Sequence, residues 1–252
     1  MSQTPKKGPS FVLRPRSEPA AMRLFCFPYA GGGASIYRGF ASAFPARIEV
    51  IPAQPPGREN RLGEKPLRRM GELLDMLEAE ILPLLDRPFA FFGYSLGATV
   101  AFELSLRLAQ LHQKAPRHLI VAARQPPHVP TRREPIATLP DPEFIEALRE
   151  LEGTPAEALD HPELMELLMP LLRADFEIVE TYEARQRPAA PCTLTALGGL
   201  KDRDVTREDL EGWRGYGQEP FKLRMFPGGH FFLNENRDTV VAAVLQEVLA
   251  KI

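Results

Sequence analysis

Short unbroken apolar runs alternate along the chain with longer segments of helical spacing. Runs at 22–27, 47–51, 89–92, 118–123, 192–197 and 221–226 each end near Gly or Pro, the length and punctuation of buried strands. Between them, apolar residues recur every three or four positions over 36–44, 67–85 and 96–111, in several stretches between 142 and 184, and over 236–249. This alternation predicts an α/β fold with a mostly parallel central sheet, helices on both faces and right-handed crossovers. Functional groups in such a sheet gather at the carboxyl ends of the strands.

The rhythm breaks once. The stretch 126–188 carries helical patterns and no convincing strand, and it reads as a helical lid inserted into one domain spanning 21–252. Residues 1–20 lack periodicity and read as a loose arm. Within the lid, PELMELLMPLLRADFEIVETYEA is apolar on more than one face, so it either packs on the domain or lines an apolar pocket. Pro170 is predicted to end one helix and open the next. Prolines, 26 in all, concentrate between 116 and 142 and mark an irregular, surface-exposed stretch.

A chain of 252 residues suits one sizeable core. The formal net charge of −2 leaves no electrostatic footprint for nucleic acid or an anionic membrane. Cys26 and Cys192 both sit in apolar runs and read as buried thiols. The first residues, MSQTPKKGPSFVLRPRSEPAAM, hold no apolar segment of secretory length, and nowhere do 18 apolar residues run together. A cytoplasmic protein is expected, as a monomer.

Candidate chemistry centres on Gly93-Tyr94-Ser95-Leu96-Gly97. A serine hydroxyl attacks a carbonyl only when a base stands beside it and its backbone holds it exposed. G-x-S-x-G between an apolar run and an amphipathic segment provides the second condition, and the Leu96 N–H faces the place where an oxyanion forms. Together with the alternating pattern, it predicts a serine hydrolase of the α/β-hydrolase fold. Of the five histidines, only His230 lies in a loop after a late strand and before the terminal helix. His112, His118, His128 and His161 lie at a helix end, a strand start or in proline-rich surface stretches. The acid must fall between Ser95 and His230 in the chain. The loop after 192–197 offers Asp202, the preferred candidate, and Asp204, which would otherwise be solvated or cap the helix beginning near Thr206. A second oxyanion donor is expected from Pro28-Tyr29-Ala30-Gly31-Gly32-Gly33: the Ala30 N–H, with Tyr29 and Gly31 as competitors. That glycine run lacks the G-K-[ST] of a phosphate loop. No Cys/His or carboxylate spacing suggests a metal site, and no cofactor is expected. Arg58, in PPGREN, reads as a solvated loop arginine, the alternatives being contact with a partner's phosphate or with the lid.

Six blocks in this order, FCFPYAGGGAS, IPAQPPGREN, FFGYSLGATVAFELS, LMPLLRADFEIVETY, ALGGLKDRDVTREDLEGW and FPGGHFFL, resemble the stand-alone type II thioesterases of nonribosomal peptide and polyketide assembly lines. The resemblance runs from about residue 22 to 250. It implies an α/β-hydrolase core with a helical lid that hydrolyses acyl thioesters on the phosphopantetheine arms of acyl or peptidyl carrier proteins, freeing stalled synthases. By the same resemblance Ser95, Asp202 and His230 form the triad; Arg203 stands where such proteins more often have proline. A small-molecule carboxylesterase without a protein partner is the alternative, and a non-catalytic binding module of the same fold is a third reading.

Overall fold

The structure, a computed structural model, describes residues 8–15, 18–183 and 187–252. Six strands form one sheet: β1 (Met22–Phe27), β2 (Ile48–Pro52), β3 (Phe89–Tyr94), β4 (His118–Ala122), β5 (Thr193–Gly199) and β6 (Gln218–Phe226). Their order across the sheet is β2-β1-β3-β4-β5-β6, and every pairing is parallel. Each apolar run therefore became a strand. β1, β3 and β4 are buried almost throughout, as continuous apolar runs must be when helices cover both faces.

The helices are α1 (Phe40–Ala43), α2 (Met70–Ile81), α3 (Leu96–His112), α4 (Asp141–Leu151), α5 (Ala156–Leu159), α6 (Pro162–Thr181), α7 (Arg207–Glu211), α8 (Phe232–Glu235) and α9 (Arg237–Leu249). One core lies on the sheet face that carries Phe25, Phe27, Phe91 and Val121, against Leu73, Leu77, Phe102 and Trp213. The opposite face, with Leu24, Cys26, Phe92 and Ile120, packs on Tyr37, Phe40, Val240 and Val244. The helical period over 36–44 resolves into two short turns, Ala34–Tyr37 and α1, separated at Arg38 and Gly39. None of the described helices is long and apolar enough to cross a membrane.

Two expectations are corrected. Pro170 does not divide the lid helix: α6 runs unbroken from Pro162 to Thr181 with Pro170 inside it. An interior proline costs about 3 kcal/mol through a lost hydrogen bond and a ring clash. Here Pro170 and Glu166 are both exposed, so water can satisfy the freed carbonyl. Burial of Met165 on one side and of Leu171, Leu172, Ala174 and Ile178 on the other holds the two halves together. The arm, in turn, is not loose over its described part. Phe11 is buried among Phe25 and Phe27 and bridges Ala53 beyond the end of β2, while the Ser10 N–H and hydroxyl both donate to Glu80. One aromatic residue anchors an otherwise aperiodic segment. Residues 1–7, 16 and 17 of the expected arm lie outside the described residues.

Cys26 and Cys192 are free and buried, as expected. Burial pushes the Cys192 thiol up to about 12, which keeps it protonated and unreactive. His118 is a core residue held between Thr193 Oγ1 (2.8 Å) and Thr195 Oγ1 (3.0 Å). Burial pushes its imidazole down to about 4, so the folded state holds it neutral while the unfolded chain protonates it near 6.5. Between those values the unfolded state binds more protons, and stability therefore falls as pH drops from about 6.5 to 4. Thermal melts should show that loss, on the order of 3 kcal/mol, and His118→Gln should flatten it; an equal slope in both proteins would remove His118 as its source.

Candidate active site

Ser95 sits at the junction of β3 and α3 with φ +52° and ψ −115°, a backbone region that non-glycine residues adopt only under strain. The turn is tight because two backbones pass it closely. A Cβ on Gly93 would meet Gly97 O at 2.2 Å, and one on Gly97 would meet Phe27 O at 2.1 Å. Glycine at both flanks is thus a packing requirement. Ser95 N–H donates to Ala122 O (2.8 Å), which ties the turn to the carboxyl end of β4.

The β5 and β6 loops converge on that turn. Lys201 N–H donates to Gly228 O (2.8 Å) and Leu200 N–H to Phe226 O (2.8 Å), locking the acid loop against the histidine loop. Tyr94, next to Ser95, donates its hydroxyl to His230 O (2.6 Å) and fixes the histidine backbone. His230 then reaches Ser95 Oγ through Nε2 (3.1 Å) and Asp202 Oδ2 through Nδ1 (2.9 Å). A carboxylate only accepts, so the Nδ1 position carries the proton and Nε2 is left to accept from serine.

The structure separates the two aspartates. Asp202 faces the ring, with its other oxygen accepting from Asp204 N–H (2.9 Å) and Val205 N–H (3.1 Å). Burial opposes its ionisation, but the His230 ring and these two N–H groups outweigh burial and hold the carboxyl below its ordinary value. Asp204 instead pairs with Arg133 Nε at 2.8 Å. Capping of α7 falls to Thr206 and Asp209, so Asp204 neither caps that helix nor stands free. Ligating atoms of Asp202, Asp204 and His230 lie within 4.8 Å of one another, a set that could hold a cation; the contacts just given already engage them with His230 and Arg133.

On the opposite side, the Leu96 N–H stands at the first turn of α3, where backbone donors lack intrahelical partners. In the glycine loop, Gly31 N–H donates to Asp175 Oδ2 (2.7 Å) and Gly32 N–H to Tyr29 O (2.9 Å). Gly31 is thereby removed as an oxyanion donor, while Ala30 and Tyr29 border the cavity with Ser95.

Arg58 is not a solvated loop residue. It is 5% exposed, too buried to meet a carrier phosphate, and its contact is with the lid. Nη1 and Nη2 grip Asp175 of α6 at 2.8 and 2.9 Å, and Nη1 also donates to Gly32 O (2.9 Å). Arg58 and Asp175 therefore bind the lid helix and the glycine loop to each other. The linear pattern nonetheless carried a signal for Asp175, which falls four residues after Leu171 and three before Ile178, on their helical face: a charge inside an apolar helical face needs a partner. Asp175→Asn leaves the guanidinium buried without its counter-charge, a change expected to cost about 3–5 kcal/mol. Calorimetry should show Tm falling by roughly 10 °C or more, and a Tm within about 2 °C of wild type would show the pair to be dispensable.

The proline-rich stretch after β4 is irregular, as expected, but it is not all surface: Gln125, Pro126 and Pro127 are buried. Above Ser95 and His230, this stretch, α4 and α6 enclose a cavity of about 260 Å³ whose apolar wall includes Ile136, Leu148, Leu151, Leu172 and Phe176. Part of the lid thus lines a pocket. A third, small core of Phe144, Leu148, Leu159, Met165 and Leu172 holds the lid together.

Comparison with known proteins accords with this geometry. The thioesterase-domain family matches residues 22–250. The chain is 40% identical over 238 residues to the gramicidin S biosynthesis protein GrsT of Aneurinibacillus migulanus, covering 94% of this chain and 93% of that one. Among solved structures, the type II thioesterase BorB from the borrelidin biosynthetic cluster superposes with a TM-score of 0.86 at 34% identity, over 96% of this chain and 99% of that one. The RedJ thioesterase from the prodiginine pathway of Streptomyces coelicolor gives 0.84 at 34% identity, over 94% and 91%. With the family matched over 22–250 and these relatives covered almost end to end, the chain belongs to the thioesterase family and is a hydrolase of the α/β-hydrolase fold that acts on thioesters.

Proposed function

We propose that the protein hydrolyses acyl thioesters borne on the phosphopantetheine arms of acyl or peptidyl carrier proteins, regenerating a polyketide or nonribosomal peptide synthase. The observation that carries the mechanism is the single imidazole spanning Ser95 Oγ and Asp202 Oδ2 beneath the lidded cavity.

In this mechanism His230 Nε2 takes the Ser95 proton as Oγ attacks the thioester carbon. The tetrahedral oxyanion lies against the N–H groups of Leu96 and Ala30, each worth on the order of 3 kcal/mol. Collapse breaks the C–S bond, the imidazolium returns its proton to the departing thiolate, and an acyl-serine remains. Water, deprotonated by the same nitrogen, then attacks the acyl-serine; the C–O bond to Ser95 breaks, Oγ takes the proton back from the imidazolium, and the free acid leaves. Asp202 holds the ring in the required tautomer and stabilises its charged form. The enzyme works as a cytoplasmic monomer, needs no metal or cofactor beyond the arm bearing its substrate, and binds neither nucleic acid nor membrane.

The test is a comparison of the same acyl group on holo carrier protein, on free pantetheine and as a p-nitrophenyl ester. Faster kcat/KM on the carrier, with a burst of one acyl-enzyme per active site, is expected. A large preference for the p-nitrophenyl ester would instead favour the carboxylesterase reading.

A further inference from the structure

Arg124 and Gln125 are the second and third residues after β4 ends at Ala122. The intervening Ala123 has φ +52° and turns the chain out of the sheet beside the strained serine. Both side chains border the cavity that contains Ser95 and His230, and both also border a smaller chamber of about 50 Å³ lined by Thr99, Tyr182 and Trp213. Their backbone is fixed, since Arg124 O accepts from Trp213 Nε1 at 2.7 Å and Trp213 is buried in the core.

Their side chains are left without partners. Among the described residues, neither the Arg124 guanidinium nor the Gln125 amide makes a hydrogen bond or ion pair, although Gln125 is 6% exposed and Arg124 is half-buried. The contrast with Arg58 and Arg61 is direct: those buried guanidinia reach Asp175 and Gly32 O, and Glu64, Ser10 and Gln54 O, respectively. Burial pushes the Arg124 guanidinium down to about 10, against an opposing pull from Tyr182. Their polar atoms are reached from the cavity that both residues line, so an unpaired guanidinium and amide there can meet a ligand that supplies acceptors.

The carboxylates around the cavity do not supply them. Glu180 accepts from Ile136 N–H and Ala137 N–H, Asp204 is held by Arg133, and Glu134 and Glu150 lie exposed. Four carboxylates, Glu134, Glu150, Glu180 and Asp204, line the cavity against two guanidinium groups, Arg124 and Arg133, so a neutral acceptor fits better than a carboxylate. We propose that Arg124, with Gln125 beside it, forms an oxygen-reading subsite of the acyl cavity. It selects acyl chains that carry a ketone or hydroxyl oxygen beyond the thioester carbonyl. This assignment rests on the thioesterase reading above.

Hexanoyl, 3-oxohexanoyl, 3-hydroxyhexanoyl, 5-oxohexanoyl and adipoyl groups on pantetheine test it with chains of one length. Wild type should favour at least one neutral oxygenated chain over hexanoyl in kcat/KM by on the order of tenfold to a hundredfold, the effect of a charge-assisted hydrogen bond. Arg124→Met should collapse that ratio towards one, and Arg124→Lys, which keeps the charge but not the fork, should leave it intermediate. A ratio unchanged in Arg124→Met, or a preference confined to adipoyl, overturns the proposal. If Arg124→Met does not fold, Arg124→Lys together with Gln125→Leu decides the matter by the same ratio. Binding to Ser95→Ala protein, read from Trp213 fluorescence, separates the two levels of inference. Tighter binding of the oxo chain with no wild-type thioester hydrolysis would sink the proposed reaction and leave the subsite; hydrolysis without oxygen preference would do the reverse.

Discussion

Replacing Ser95 with alanine is expected to reduce kcat on an acyl carrier substrate by on the order of 10⁴ to 10⁶, with little change in KM. In the proposed mechanism the serine oxygen is the atom that becomes acylated, and without it His230 has no proton to accept. Binding contacts in the cavity and the proposed oxyanion donors, Leu96 and Ala30, remain, which is why KM should hold. Ser95→Ala also removes only one side-chain hydrogen bond, to His230, so the fold should persist. Backbone strain is a separate quantity. At φ +52°, ψ −115° a Cβ is unfavourable, and Ser95→Gly should therefore be more stable than Ser95→Ala by about 1–3 kcal/mol. Rapid-quench mass spectrometry of the intact protein should detect acyl-enzyme in wild type and none in either variant. More than about one per cent residual turnover in purified Ser95→Ala would remove Ser95 from the nucleophile's role.

Asp202→Asn should lower kcat by roughly 10⁴, the loss seen when a triad carboxylate becomes an amide. An asparagine presents either its NH₂ or its carbonyl to Nδ1. If the NH₂ faces the ring, Nδ1 accepts, the proton moves to Nε2, and that nitrogen no longer accepts from Ser95. With the carbonyl towards the ring the tautomer survives, but the negative charge that stabilises the imidazolium is gone. Asp204→Asn should cost less than about fivefold. Its carboxylate meets Arg133 at 2.8 Å where both side chains retain exposure, 38% for Arg133 and 25% for Asp204, and such pairs contribute little. Steady-state kinetics on the two variants, with Tm measured beside them, tells them apart. A greater loss in Asp204→Asn than in Asp202→Asn would reassign the acid.

Much of this site was legible in the linear chain because its parts lie at strand ends. Ser95 announces itself by two flanking glycines, and the structure gives the reason, since backbone carbonyls pass within 2.2 Å of where each Cβ would be. His230 and Asp202 follow from their places after β6 and β5. The chain favoured Asp202 over Asp204 without excluding either, and the structure brings Asp202 to His230. Two residues apart on one loop, they differ only in which one the turn directs at the ring.

Local periodicity and punctuation by themselves determined the strands, the parallel α/β class, the lid's place in the chain and the serine turn, because strand and helix periods and glycine turns are properties of neighbouring residues. Only the tertiary structure decided that α6 runs through Pro170, that Phe11 anchors the arm, that Arg58 holds Asp175, and that Arg124 faces the cavity without a partner. Arg58 and Asp175 are 117 positions apart in the chain. Whether a guanidinium is solvated, paired or left facing a pocket depends on what the fold brings beside it, and no local pattern encodes that meeting.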